Sequence, residues 1–282
     1  MEYQKQVERW GVQEIILQGP ETGNPFTEQW VRGTFSCAAQ KVSVEGFYDG
    51  EGIYKVRFMP AFEMPYHFEI EASFLDGKEE GDFTVTPPLA GNHGPVHVAY
   101  TYHFAYEDGT PYYPVGTTCY VWELQSEELQ EETLRELAKG YFNKIRFCVF
   151  PKHYIYNFHE PISYPYEGTP CDTSEMTEKN FGEYRTDDHV NHWDFYRFNP
   201  KHFQHFEDCI QKLAALGIEA DIIVMHPYDR WGFSKMTADQ DDLYWKYVVR
   251  RFSAYRNVWW SFANEYDLLR EKTIADWERY AE

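Results

Sequence analysis

The sequence holds no Cys-x-x-Cys pair, and its cysteines (Cys37, Cys119, Cys148, Cys171 and Cys209) are scattered and odd in number. That argues against both a zinc ribbon and a disulfide scaffold. No stretch approaches the roughly 18 apolar residues that begin to suggest a membrane span. The opening residues MEYQKQVERWGVQEI contain no apolar core of a secretory signal, so a cytoplasmic protein is expected. Cations are scarce: 26 Lys and Arg against 46 Asp and Glu leave a net charge of −20. Such a balance repels phosphate backbones and anionic lipid, so neither nucleic acid nor membrane is expected as a partner. Also missing are a Gly-x-Gly-x-x-Gly fingerprint, a P-loop and a Gly-x-Ser-x-Gly elbow, which removes support for nucleotide cofactors and serine hydrolysis; no cofactor is expected.

Aromatic residues, by contrast, are abundant at 19% of the 282 positions, with 23 Tyr, 21 Phe and 9 Trp. Rings with polar handles suit deep cores and also surfaces that stack on flat ligands such as sugar rings. An apolar content of 43% supports a packed core, and the length suits two domains at about 150 residues each.

Residues 1–95 read as all-β. The stretches Val42–Tyr48, Tyr54–Phe58 and His67–Ile70 alternate with the period of two of half-buried strands, and Asp49-Gly50 and Asp76-Gly77 supply turns. A small antiparallel β-sandwich is the expected form. From residue 96 the pattern changes. After a hairpin-like turn at Asp108-Gly109, Ser126 caps a helix with Leu129, Leu134 and Leu137 on its buried side, closed by Gly140. Ile145–Phe150 forms a strand stopped by Pro151, and a long polar and aromatic loop runs from Lys152 to about Phe198. Asn199-Pro200 starts a helix with Phe203, Phe206, Ile210 and Leu213 at helical spacing. Ala220–Met225 is the next strand, Thr237-x-x-Gln240 a capping box, Val258–Ala263 a further strand, and a last helix begins near Thr273. Strand and helix thus alternate four times, which predicts parallel strands covered by helices.

In such architectures ligands gather at the carboxyl ends of the strands. The residues there are Trp122-Glu123, Lys152-His153, His226-Pro227-Tyr228-Asp229 and Asn264-Glu265. Asn264-Glu265 is the sharpest signal. It places a carboxylate directly after an apolar run, beside an amide able to donate to a sugar hydroxyl. Held among Trp and Tyr, such a glutamate would be raised by desolvation into the range of a general acid. The histidine pairs His189/His192 and His202/His205 lack a third ligand at a diagnostic spacing, so no metal is expected. Glu127, Glu128, Glu131 and Glu132 read as a solvated helix face.

The run Asn257–Glu265 resembles the fourth barrel strand of clan A retaining glycoside hydrolases, (β/α)8 enzymes in which an Asn-Glu pair supplies the acid/base. Asn143-Lys144-Ile145-Arg146 resembles their second strand. The stretches Asp108–Thr118 and Asn199–Asp229 are similar to the apiosidase-like barrels of that clan, and residues 1–95 to the small sandwich that precedes them. Family first strands usually carry aspartate where Thr117 stands. The resemblance implies a glycosidase acting on an oligo- or polysaccharide, with Glu265 as acid/base. It implies Asn264 on the sugar 2-hydroxyl and Arg146 beside the nucleophile, with His226, Tyr228 and Trp122 shaping the sugar subsite. The family nucleophile lies on the seventh strand. A full barrel takes about 250 residues, and only about 180 follow residue 100 here, so residues 96–282 look like the N-terminal half of a barrel without its nucleophile. An open half-barrel needs a dimer mate or a further segment to cover it. A non-catalytic carbohydrate-binding protein is the alternative.

Overall fold

The computed structural model describes residues 1–184 and 190–282. The chain divides into two compact units: residues 1–113 with 246–258, and residues 114–245 with 259–282.

In the first unit two sheets share one core. The five-stranded sheet runs in the order Gln6–Glu8, Glu79–Thr86, Pro65–Ala72, Val31–Ser36, Lys41–Glu45, and the four-stranded sheet in the order Glu2–Tyr3, Gln13–Gln18, Ile53–Phe58, Phe47–Tyr48. Alternation supplies the inward faces: Val31, Phe35, Phe68, Ile70 and Phe83 from one sheet meet Ile15, Leu17, Tyr54, Val56 and Phe58 from the other. Phe35 and Phe58 stack at 4.4 Å between ring centroids. The expected strand 42–48 is interrupted at Gly46, where a Cβ would lie 2.2 Å from the Lys55 carbonyl oxygen, so only glycine permits that approach. A separate three-stranded sheet, Val96–Ala99, His103–Tyr106 and Pro111–Tyr112, carries the turn at Asp108-Gly109.

The second unit is built on a four-stranded sheet. Its elements in chain order are β1 (Gly116–Thr118), α1 (Glu127–Leu137), β2 (Lys144–Cys148), α2 (Pro200–Ala215), β3 (Glu219–Met225), the first part of α3 (Ala238–Phe252, whose residues from 246 on group with the first unit), β4 (Val258–Ala263, past its first residue) and α4 (Ile274–Ala281). The sheet order is β1-β2-β3-β4, with β1–β2 and β2–β3 parallel. Mixed α/β structure with several antiparallel sheets is therefore present, and among the described residues the four-stranded sheet does not close on itself.

Local rules explain most boundaries. Phe203, Phe206, Ile210 and Leu213 of α2 are buried as their spacing requires, and Phe147 of β2 packs on Phe206 at 5.2 Å. Gly217, at φ +71°, ends that helical segment. Three expectations need correction. In α1, Leu129 is exposed and Gln130 is buried in its place, because Gln130 Nε2 donates to the Gln125 carbonyl at 2.7 Å. The box at Thr237 is half formed: Gln240 Oε1 accepts from the Thr237 N–H, but the Thr237 hydroxyl bonds Asp239. The long segment after Lys152 is not all loop, since Tyr166–Thr169 and His192–Phe198 pair antiparallel.

Candidate active site

The carboxyl ends of β1 to β4 converge through backbone bonds. The Cys148 N–H at the end of β2 donates to the Tyr120 carbonyl beyond β1 at 2.7 Å. The Asn264 N–H beyond β4 donates to Met225, the last residue of β3, at 3.0 Å. The polar segments after the strands therefore meet along one edge of the sheet, within one unit.

Lys152 lies at the centre of that edge. Its ammonium sits 3.4 Å from the centroid of Tyr120, 3.9 Å from that of Tyr228 and 5.0 Å from that of Tyr154. The side chain belongs to a residue only 5% exposed. Burial pushes the ammonium below the usual lysine range, while the nearby Glu265 charge works against that shift. Cation–π contact offsets part of the desolvation. Sequence reasoning placed Lys152 at a strand end but gave it no role, and passed over Tyr120 and Tyr154. The available signal was a lysine directly behind the apolar run Ile145–Pro151.

His226 is 1% exposed. Its Nε2 is 3.1 Å from the Phe150 carbonyl, which fixes the tautomer with the proton on Nε2, and among the described residues its Nδ1 finds no partner. Burial lowers its pKa to about 4 from 6.5, so the ring is neutral at neutral pH. The unfolded chain takes up a proton between those values and the folded chain does not, so stability present above pH 6.5 is lost as pH falls towards 4. The loss expected from this group is about 3 kcal/mol. Urea unfolding of wild type and His226→Gln at pH 7 and pH 4 checks this, and the variant should lose less on acidification. Equal losses would show that His226 does not drive it. Tyr228 stacks near-parallel to His226, at 24° and 6.2 Å between centroids.

Glu265 adopts φ +51°, the left-handed region that non-glycine residues enter at a cost of roughly 1 kcal/mol or more, and which collects at functional sites. It is exposed, so the apolar enclosure expected from sequence is not built by this chain. Arg146 does face a carboxylate, but within the sheet. Its Nη1 is 3.7 Å from Asp221, its register partner on β3, and its Nη2 donates to Ser261 Oγ on β4 at 2.8 Å. Lys144 shares the same Asp221 oxygen at 2.8 Å. Alternation puts Arg146 on the face opposite Phe147, hence away from α2.

Trp122 is corrected outright. It is 4% exposed and packs edge-on against Phe147 at 5.9 Å, so it wedges the core and offers no ring to a sugar. The adjacent Glu123 is fully buried, both carboxylate oxygens lack a partner among the described residues, and desolvation pushes its carboxyl well above the usual range. Asp229 serves the loop: it accepts from the N–H groups of Trp231, Gly232 and Ser234 and from the Ser234 hydroxyl.

Of the two histidine pairs, His202 and His205 hold hydrogen-bond contacts within the fold. His202 Nδ1 is 2.8 Å from Ser163 Oγ, and His205 Nε2 is 2.7 Å from the Glu123 carbonyl. His189 lies outside the described residues. Among the described residues one group has metal-ligating atoms close together, His67, Glu69 and Glu80 on the five-stranded sheet of the other unit.

Comparison with known proteins agrees with this architecture. The family model of apiosidase-like catalytic domains matches residues 99–282, and that of a domain of unknown function, DUF5060, matches residues 6–73. A candidate glycoside hydrolase from Bacteroides vulgatus, of solved structure, is 42% identical and superposes with a TM-score of 0.89 over 98% of this chain and 53% of its own. The chain therefore spans about half the length of that protein. A family 5 glycoside hydrolase from the same organism gives 14% identity and a TM-score of 0.47 over 69% of this chain and 37% of its own. Among curated proteins none matches.

Proposed function

The chain belongs to the apiosidase-like catalytic-domain family, and on that premise we propose that it takes part in cleaving an O-glycosidic bond with retention of configuration. In this reading residues 96–282 are the first four strand–helix steps of a clan A (β/α)8 barrel, and residues 1–95 an accessory β-sandwich. The observation that carries the reading is Glu265: a carboxylate in strained backbone straight after β4, beside Asn264, which is tied to the end of β3.

Glu265 protonates the leaving oxygen and then takes the proton from the incoming water, while a second carboxylate about 5–5.5 Å away forms the glycosyl intermediate. Asn264 holds the 2-hydroxyl. Arg146 has five N–H donors, of which Ser261 and Asp221 engage some, and the others are free to orient that second carboxylate. Tyr228 contacts the sugar, and His226 positions Tyr228 from behind as a neutral ring. No carboxylate of this chain is assigned as nucleophile, so the chain by itself should not turn over glycosides. A longer polypeptide extending it by four strand–helix units should.

The test follows the anomer of the first-formed product by proton NMR, for the extended polypeptide on a glycan panel. Retention is expected, and inversion would remove the mechanism. Glycosidase activity of the short chain alone would overturn the absence of the nucleophile. Sugar binding without turnover by both would favour a non-catalytic binding protein.

A further inference from the structure

Among the described residues the Lys152 ammonium has aromatic faces for close neighbours and no ion-pair partner. The residue is largely buried while its Nζ still reaches solvent, and among the described residues no carboxylate lies within ion-pairing distance of it and no acceptor takes its three N–H donors. Its close neighbours are the faces of Tyr120 and Tyr228, with Tyr154 further out. Partial desolvation costs such an ammonium free energy that the cation–π contacts offset only in part. His226 beside it is neutral and supplies no second cation. The cluster stands at the strand-end edge, close enough to Glu265 for its charge to act on the ammonium. Tyr120, Tyr154 and Tyr228 are all half-buried.

We infer that Lys152 is a specificity-determining residue, and that the site takes a glycoside bearing an anionic substituent, a uronic acid carboxylate or a sulfate ester. The anion accepts from the free N–H donors of Lys152 while the tyrosines flank the sugar ring. The chain's net −20 opposes capture little, because exposed charges more than about 8 Å away are largely screened at physiological salt. This inference rests on the proposed glycoside site.

The experiment measures binding apart from turnover. Ligand-observed NMR or calorimetry of the purified chain at pH 7 compares glucuronate, galacturonate and glucose 6-sulfate with glucose and galactose. At least one acidic ligand should bind about 10-fold or more tightly than its neutral counterpart, as expected for a desolvated charge-assisted contact. A uronate preference assigns a carboxylate and a sulfate preference assigns a sulfate ester. Lys152→Met should abolish the preference, and Lys152→Arg, which keeps the charge, should restore part of it and shows that loss in the first variant is not unfolding. Equal affinity for acidic and neutral ligands, no binding of any of them, or a preference that survives Lys152→Met, overturns the inference. Retaining hydrolysis of neutral glycosides without acid preference would leave the glycosidase reading standing and remove this one. Acid-selective binding in an extended polypeptide that hydrolyses nothing would do the reverse.

Discussion

Glu265→Gln should lower turnover of natural glycosides by roughly 10²–10⁴ in the extended polypeptide, the range that a lost general acid costs. Glutamine keeps the size and hydrogen-bonding reach of the side chain but cannot deliver a proton. Aryl glycosides with acidic leaving groups need little protonation, so their glycosylation step should fall far less. Burst and steady-state rates on both substrate types separate the two steps. Equal large losses of the glycosylation step on both would take Glu265 out of the acid role.

Periodicity and punctuation carried much of the fold. β4 could be read to the residue, because Val258–Ala263 is an apolar run bounded by polar residues, and Thr273 with Asp276 forms the full capping box that opens α4. What escaped was non-local or chemically unmarked. The turn between Val96–Ala99 and His103–Tyr106 is made by Tyr100 and Thr101 at φ +50° and +71°, residues that announce no left-handed turn. Residues 246–258 group with the N-terminal sheets because Arg251 finds Asp49, 202 positions away, and no local pattern records such a partner.

The site was legible in position more than in role. Strand-end residues could be named because strand ends are fixed by where apolar runs stop. Which of them face solvent could not, because that depends on the packing behind each strand. Trp122 turned inwards because Phe147 on the neighbouring strand offers it a ring edge, and Lys152 acquired a cage because three loops each deliver a tyrosine. Arg146 was expected to face a carboxylate because charge inside a strand needs pairing, and register chose Asp221.

The largest stability effect is expected at Asp49. Its carboxylate is 2.7 Å from Arg251 Nη1 and 2.8 Å from Lys55 Nζ, and Arg251 is fully buried. Burial alone would raise the Asp49 carboxyl, but Arg251 and Lys55 overcome it and hold the group below the usual range. The network continues inwards. Arg251 Nη1 also donates to Tyr247 Oη at 2.9 Å, Tyr247 Oη donates to the Tyr48 carbonyl at 3.0 Å, and Arg57 donates to the Arg251 carbonyl at 2.8 Å. Asp49→Ala leaves the Arg251 charge buried without its carboxylate, which typically costs 3–5 kcal/mol, so a loss of about that size is expected. Replacing both partners, Asp49→Leu with Arg251→Met, removes the stranded charge as well and should recover most of the loss. The exposed pair of Lys78 and Glu69 on the same unit serves as the control, since an ion pair in water contributes little and Glu69→Gln should barely move the unfolding midpoint. Urea unfolding of the single and double variants decides the matter. A single-variant loss no larger than that of the control would mean that water reaches Arg251, and that the turn after Phe47–Tyr48 is held by packing without help from charge.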